Sequence, residues 1–292
     1  MADVEELTEQ AIGLLHPGEM GAAVGRCLVG AGYLVLWVPA GRGPDTMARA
    51  REAGLTEVAS VDQLRARARI ILSICPPHAA LDVARSVSGF GGLYVDANAI
   101  SPATAREVAS VATAGGATYV DGGIIGGPPT QAGTTRLYLA GEAAAAVGAL
   151  FDGTPLDAQV VETGSAGPFA ASAVKMAYAA WTKGSAALLL AARALAEAEG
   201  VSGALLEEWA LSQPALAERV RGAAQSASTK GWRWVGEMEE IAATMAAAGL
   251  PDGFHQAAAE VFRRSPAARA GQSADSVVTD VITALPDHEQ EG

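Results

Sequence analysis

Apolar positions in the first half of the chain come in short runs separated by amphipathic stretches. The runs Ala11–Leu15, Leu34–Val38, Ile70–Ile74, Leu93–Asp96, Thr118–Asp121, Arg136–Ala140 and Gln159–Glu162 have the length of strands. Between them, Glu19–Gly30, Asp45–Ala53, Val61–Arg67, His78–Val87, Pro102–Thr113 and Glu142–Leu150 carry helical spacing. Strands alternating with helices of this length predict βαβ units, and right-handed crossovers then favour a doubly wound, mostly parallel sheet.

After Gly164 the strand pattern stops and Ala, Leu, Glu and Met dominate. A long helix is predicted from about Pro168 to Glu199, followed by Leu205–Leu211, Pro214–Ala227, Val235–Ala248 and Phe254–Arg264. Gly249 with Pro251 beyond it is a stop signal, and Asp252 is placed to cap the next helix. The organisation expected is an N-terminal tail (1–10), an α/β domain (11–163), an all-helical domain (164–286) and an acidic C-terminal tail (287–292). The middle of the long helix is apolar on most faces and needs cover all round. The helical half is barely large enough to supply it, which predicts a homodimer formed through the C-terminal helices.

Composition narrows the function classes. The net charge of −12 over 292 residues argues against nucleic acid or an anionic membrane as partner. The two cysteines, Cys27 and Cys75, suggest a reducing compartment rather than a disulfide scaffold. The acidic N-terminus lacks a signal-peptide pattern, and the apolar stretch Ser185–Leu195 is too short to span a bilayer. A cytoplasmic protein acting on a small molecule is expected, with no metal site.

Three glycine-bearing signals carry the chemistry: the turn at Gly18–Gly21, the run Asp121-Gly122-Gly123-Ile124-Ile125-Gly126-Gly127 as a substrate loop, and Gly164-Ser165-Ala166-Gly167. In Ile12-Gly13-Leu14-Leu15-His16-Pro17-Gly18-Glu19-Met20-Gly21 a buried strand breaks into a turn at a helix start. Gly18 and Gly21 match the second and third glycines of the Rossmann dinucleotide fingerprint, and His16 replaces the first. Such a turn holds a pyrophosphate on free helix N–H groups, so residues His16 to Met20 are assigned to cofactor binding. The second strand ends in Val38-Pro39-Ala40-Gly41-Arg42-Gly43, without the acid that NAD enzymes place there. Arg42 on this loop suits the 2′-phosphate of NADP, so NADPH is expected over NADH; a solvated loop arginine is the plain alternative. Cys75-Pro76-Pro77 ends the next strand and turns the chain across the carboxyl edge of the sheet, where such folds bind ligands.

Gly164-Ser165-Ala166-Gly167 leads into the helix carrying Lys175 among Val174, Met176 and Ala177. Lys175, Tyr178 and Thr182 fall on one helical face. A lysine desolvated in this way can exchange protons near neutral pH, whereas Lys183 is expected on the exposed side. Trp234 and His255 belong to a denser polar and aromatic cluster, mostly core, from which a pocket-lining role is open.

These motifs resemble the β-hydroxyacid dehydrogenase superfamily, which includes 3-hydroxyisobutyrate and 6-phosphogluconate dehydrogenases and has imine reductases as relatives. The resemblance runs from Ile12 to about Arg264, and the stretch from Lys230 to His255 is similar to a branch whose C-terminal domain has no known function. It implies a Rossmann domain, a helical domain and a long helix that builds a dimer. It also places the catalytic lysine on Lys175, with Ala179 where an asparagine is usual. The family's Asp-x-Ser-Thr-x-x-Pro falls on Asp96–Pro102, with Asn98 and Ala99 in place of Ser-Thr, which puts Asn98 near cofactor and substrate. Its Ser-Gly-Gly substrate loop falls on Ile125-Gly126-Gly127. These departures weaken the polar grip on a hydroxyacid and point to a larger or less acidic carbonyl, alcohol or imine. An NADP-dependent hydride-transfer enzyme is the expectation. An imine reductase or a non-catalytic NADP-binding protein is the rival.

Overall fold

The computed structural model describes residues 11–162 and 164–286. The two expected tails lie outside the described residues. The chain divides into two compact units, one ending at Met176 and the other beginning at Ala177.

The first unit is built on one sheet. Its strands are β1 (Ala11–Leu15), β2 (Val35–Trp37), β3 (Thr56–Glu57), β4 (Ala68–Ser73), β5 (Leu93–Asp96), β6 (Thr118–Ile125), β7 (Thr135–Ala140) and β8 (Leu156–Val160). Their order is β3-β2-β1-β4-β5-β6-β7-β8, and every neighbouring pair is parallel except β6 with β7. Helices α1 (Glu19–Gly30), α2 (Pro44–Glu52), α3 (Val61–Arg67), α4 (Ala80–Ser86), α5 (Pro102–Ala114) and α6 (Ala144–Ala149) make the connections. Both faces are buried, as a parallel sheet requires. One core gathers Ile12, Leu14, Val24, Leu28, Trp37 and Val120, and the other gathers Leu36, Leu64, Ile71, Tyr94, Ile100 and Val108.

A 3₁₀ segment, Gly164–Phe169, leads into α7 (Ala170–Ala198). The second unit continues with α8 (Ser202–Ser212), α9 (Leu216–Ala247), α10 (Gly253–Arg264) and α11 (Ala274–Ala284). The two helices expected over 214–227 and 235–248 are one continuous helix of 32 residues. Gly231 does not break it. A Cβ there would come within 3.3 Å of the Phe262 carbonyl, so this glycine lets α10 lie close instead. Thr229 is accommodated by back-bonding to the Gln225 carbonyl at 2.8 Å. Asp252 stands at the N-cap of α10, but its side chain caps no amide and instead accepts from Gln256 Nε2 at 2.7 Å. Helix α11 was not expected. Ser273 caps it, and Val277, Val281 and Ile282 bury one face. No helix among the described residues is long and apolar enough to cross a membrane.

Candidate functional site

The strand order reverses between β1 and β4, which lie side by side while their connections leave in opposite directions. Such a switch point opens a crevice at the carboxyl edge of the sheet. The amide of Ile74 donates to the Leu15 carbonyl at 3.3 Å, so the two loops leave from adjacent strand ends.

Helix α1 begins at the β1 edge of this crevice with no side-chain cap on its first turn. A Cβ on Gly18 would meet nothing within 4 Å, so backbone is open to an approaching group. A Cβ on Gly21 would run into the carbonyl oxygen of His16, so that position needs its glycine. His16 sits at φ +66°, the left-handed region favoured by the glycine it replaces. For a side-chain-bearing residue this costs roughly 1–2 kcal/mol. Its ring Nε2 accepts from Arg42 Nη1 at 2.8 Å. Burial first, then the charges of Arg42 and His78, hold the imidazole down at about 4, so it is neutral at physiological pH. His16 Nδ1 and Arg42 Nε are buried without a hydrogen-bond partner. An uncapped helix start, a glycine with open space beside its backbone and an arginine with a buried N–H unspent form a donor set that fits a dinucleotide phosphate.

Across the crevice, Asn98 is buried and its amide is spent on the scaffold. Its Oδ1 accepts from the Cys75 amide at 2.6 Å and its Nδ2 donates to Ser73 Oγ at 3.2 Å. The loop that Pro76 and Pro77 turn is thereby tied to the end of β5. Burial pushes the Cys75 thiol up to about 12, so it is no nucleophile at neutral pH.

The far wall is β6 with the start of α7. Asp121 accepts from the Ser172 amide at 2.8 Å and from its hydroxyl at 2.5 Å, which anchors the first turn of the helix. One turn later, Lys175 Nζ donates to the Ile124 carbonyl at 2.7 Å. A Cβ on Gly123 would lie 2.7 Å from the Ala171 carbonyl and 3.0 Å from Lys175 Cβ, so this close approach depends on glycine. Beyond it, Ile125 is 3% exposed. Gly126 turns at φ +120°, and Thr135 Oγ1 donates to the Gly127 carbonyl at 2.6 Å. A Cβ on Gly127 would face open space.

Asp96 and Asp121 face each other in the β5–β6 register. Sequence reasoning passed over this pair because it treated both residues as strand ends. Burial raises Asp96 from 3.8 to about 7 and Asp121 from 3.8 to about 6. The folded protein therefore holds protons that the unfolded chain has already released. The resulting stability is complete below about pH 4 and is lost as pH rises through about 6 to 7. Denaturant titrations are expected to show the first unit weakening between about pH 4 and 7 and levelling off above, and Asp96→Asn should flatten that slope. Parallel profiles for the two proteins would remove Asp96 as its source.

In the second unit, Tyr178 is 46% exposed. Trp234 packs edge-on against Phe262, with centroids 5.1 Å apart. His255 is buried, and its Nε2 lies 3.1 Å from the Ala180 carbonyl, beside Gly184. Trp234 and His255 thus take part in the packing of the helical unit. Lys183 does not lie on an exposed face as expected. It forms a mostly buried ion pair with Glu237, and its ammonium stands 5.1 Å from the centre of the Trp234 ring.

Residues 11–150 match the NAD binding domain of 6-phosphogluconate dehydrogenase, and residues 196–265 match a domain of unknown function, DUF1932. The chain thus joins a 6-phosphogluconate dehydrogenase-type NAD binding domain to a DUF1932 domain, as the resemblance implied. The first of these is a domain of the kind that binds NAD. A conserved hypothetical protein from Sinorhizobium meliloti 1021 is 25% identical with a TM-score of 0.66, over 94% of this chain and 96% of that one. A Mycobacterium tuberculosis 3-hydroxyisobutyrate dehydrogenase shares the fold at 20% identity and TM-score 0.64, over 92% and 98%. An Aspergillus terreus reductive aminase solved with NADPH and ethyl levulinate does so at 19% and 0.53, over 92% and 98%. No curated protein matches the chain.

Proposed function

We propose that the protein is an NADP-dependent oxidoreductase acting on a small-molecule alcohol/carbonyl pair, with Lys175 as general acid and base. The observation that carries this reading is the lysine amine at the carboxyl end of β6, 2.7 Å from a backbone carbonyl and one turn past the Asp121–Ser172 anchor. When bound, the nicotinamide supplies or takes the hydride. Lys175 delivers a proton from Nζ to the oxygen of a reduced substrate, or removes it in the other direction. The Ile124 carbonyl holds the amine in place. Gly126 and Gly127 give the β6–β7 turn a backbone that a substrate can approach. Asn98 acts as a positioning residue by fixing the Cys75–Pro77 loop.

Arg42 supports the choice of NADP. It lies on the loop after β2 and spends its Nη1 bond on a neutral ring, so its charge stays available for a 2′-phosphate. NADPH is expected to bind about tenfold tighter than NADH, the worth of one charge-assisted fork. Arg42→Ala should erase most of this gap with little effect on NADH. Equal wild-type affinities in calorimetric titrations would reject the assignment.

Reduction of a C=N bond is the second reading. It is favoured by Ile125 standing where a hydroxyl would hold a carboxylate, and by the fold shared with a reductive aminase. Turnover of cyclic imines but not ketones, followed by NADPH absorbance, would select it.

The homodimer belongs to the same proposal. Trp181, Leu188 and Leu195 recur at seven-residue spacing on α7 and are 70%, 64% and 63% exposed. A stripe of that spacing is what a second helix of the same kind packs against. Sedimentation at micromolar concentration should give a dimer or larger. A clean 29.5 kDa monomer would refute it.

A further inference from the structure

We infer that His16 is a specificity residue for the cofactor: standing in the first glycine's place, it holds the Arg42 guanidinium ready for a 2′-phosphate. This rests on the reading that Arg42 receives that phosphate. The backbone at residue 16 is in a glycine conformation, φ +66°, yet carries a side chain, and that side chain spans 26 positions to reach Arg42. A glycine here would satisfy the turn without strain. What the histidine adds is the ring.

Arg42 needs such a partner. It sits between Gly41, at φ +73°, and Gly43, where a Cβ would touch nothing at either position. A loop of this kind does little to order a long side chain, and ordering one on binding costs affinity. An acidic partner would order Arg42 but would also repel a phosphate. A neutral imidazole orders it through Nε2 and leaves the charge unspent. Among the described residues Arg42 forms no ion pair, and the bond to His16 uses one of its five N–H donors. The two groups also belong to the two loops that frame the crevice from β1 and β2, so the bond fixes one loop against the other.

The test is calorimetric titration of the full chain with NADPH and NADH, for the wild type, His16→Gly, Arg42→Ala and the double variant. His16→Gly restores the fingerprint glycine and relieves the left-handed backbone, so thermal unfolding should be no earlier than in the wild type. It is expected to weaken NADPH about 3- to 10-fold, the cost of ordering one long side chain, and to leave NADH within about twofold. In the Arg42→Ala background it should change NADPH affinity no further. An unchanged NADPH to NADH ratio in His16→Gly would overturn the inference while Arg42's own role stands. A His16 effect that persists without Arg42 would also overturn it, because the ring would then contact the phosphate directly. A wild type with no NADPH preference would overturn both this inference and the reading of Arg42.

Discussion

Lys175→Met is expected to lower kcat by roughly 10²- to 10⁴-fold, the loss that follows removal of a positioned general acid. NADPH affinity and folding should change little. The lysine is anchored from the strand side: its amine donates to the Ile124 carbonyl, and its helix is pinned one turn earlier by Asp121 on Ser172. Methionine fills similar space but carries no proton. Lys175→Arg keeps the charge and can still donate to the carbonyl, yet a guanidinium does not give up its proton in proteins. Both variants should therefore be slow at every pH where the wild type turns over. Near-normal kcat in Lys175→Arg would mean that positive charge alone is needed, and near-normal kcat in Lys175→Met would remove the lysine from the mechanism.

Lys183→Met should destabilise the helical unit by about 3 kcal/mol. The side chains of Lys183 and Glu237 are only 15% and 13% exposed, so removing the ammonium strands a carboxylate. The Trp234 ring also loses its cation. Adding Glu237→Leu should restore most of the lost stability, since a buried pair replaced by apolar groups is often neutral. Urea denaturation followed by tryptophan fluorescence measures both. A Lys183→Met midpoint equal to that of the wild type would show that the pair contributes nothing. The same geometry makes Lys183 unsuitable as the inert control for Lys175 that its sequence position suggested.

Elements bounded by sharp chemistry were legible from the sequence. Strand β1 and helix α1 run where the apolar run and the glycine turn place them, at Ala11–Leu15 and Glu19–Gly30. Strand β3 was not legible: it is two exposed residues, Thr56 and Glu57, paired to β2 by backbone alone. The join in α9 was not legible because residues 228–234 carry no clear helical spacing, and only the tertiary neighbour Phe262 shows Gly231 to be a close approach. Helix α11 did carry a signal, in Ser273 and the spacing of Val277 and Val281, but no motif led there. The candidate site follows the same logic. The loops at the sheet edge could be named because strand ends and glycines mark them. The bonds that set each residue's job could not, since His16 to Arg42, Asn98 to Cys75 and Asp121 to Ser172 join positions 26, 23 and 51 residues apart.

Gly122 and Gly123 bear on how a protein of this design can diversify. Successive strand residues point to opposite faces, so the pair has no side chain on either side of β6. A Cβ on Gly122 would lie 2.9 Å from the Asp96 carbonyl, and one on Gly123 would press on the backbone of α7. Any larger residue there displaces the amine or the neighbouring strand, whatever its polarity. Gly127 has no such neighbour to displace, as a Cβ there meets open space. Variation along this stretch is thus channelled toward positions like Gly127, while Gly122 and Gly123 stay fixed by the backbone packed around them.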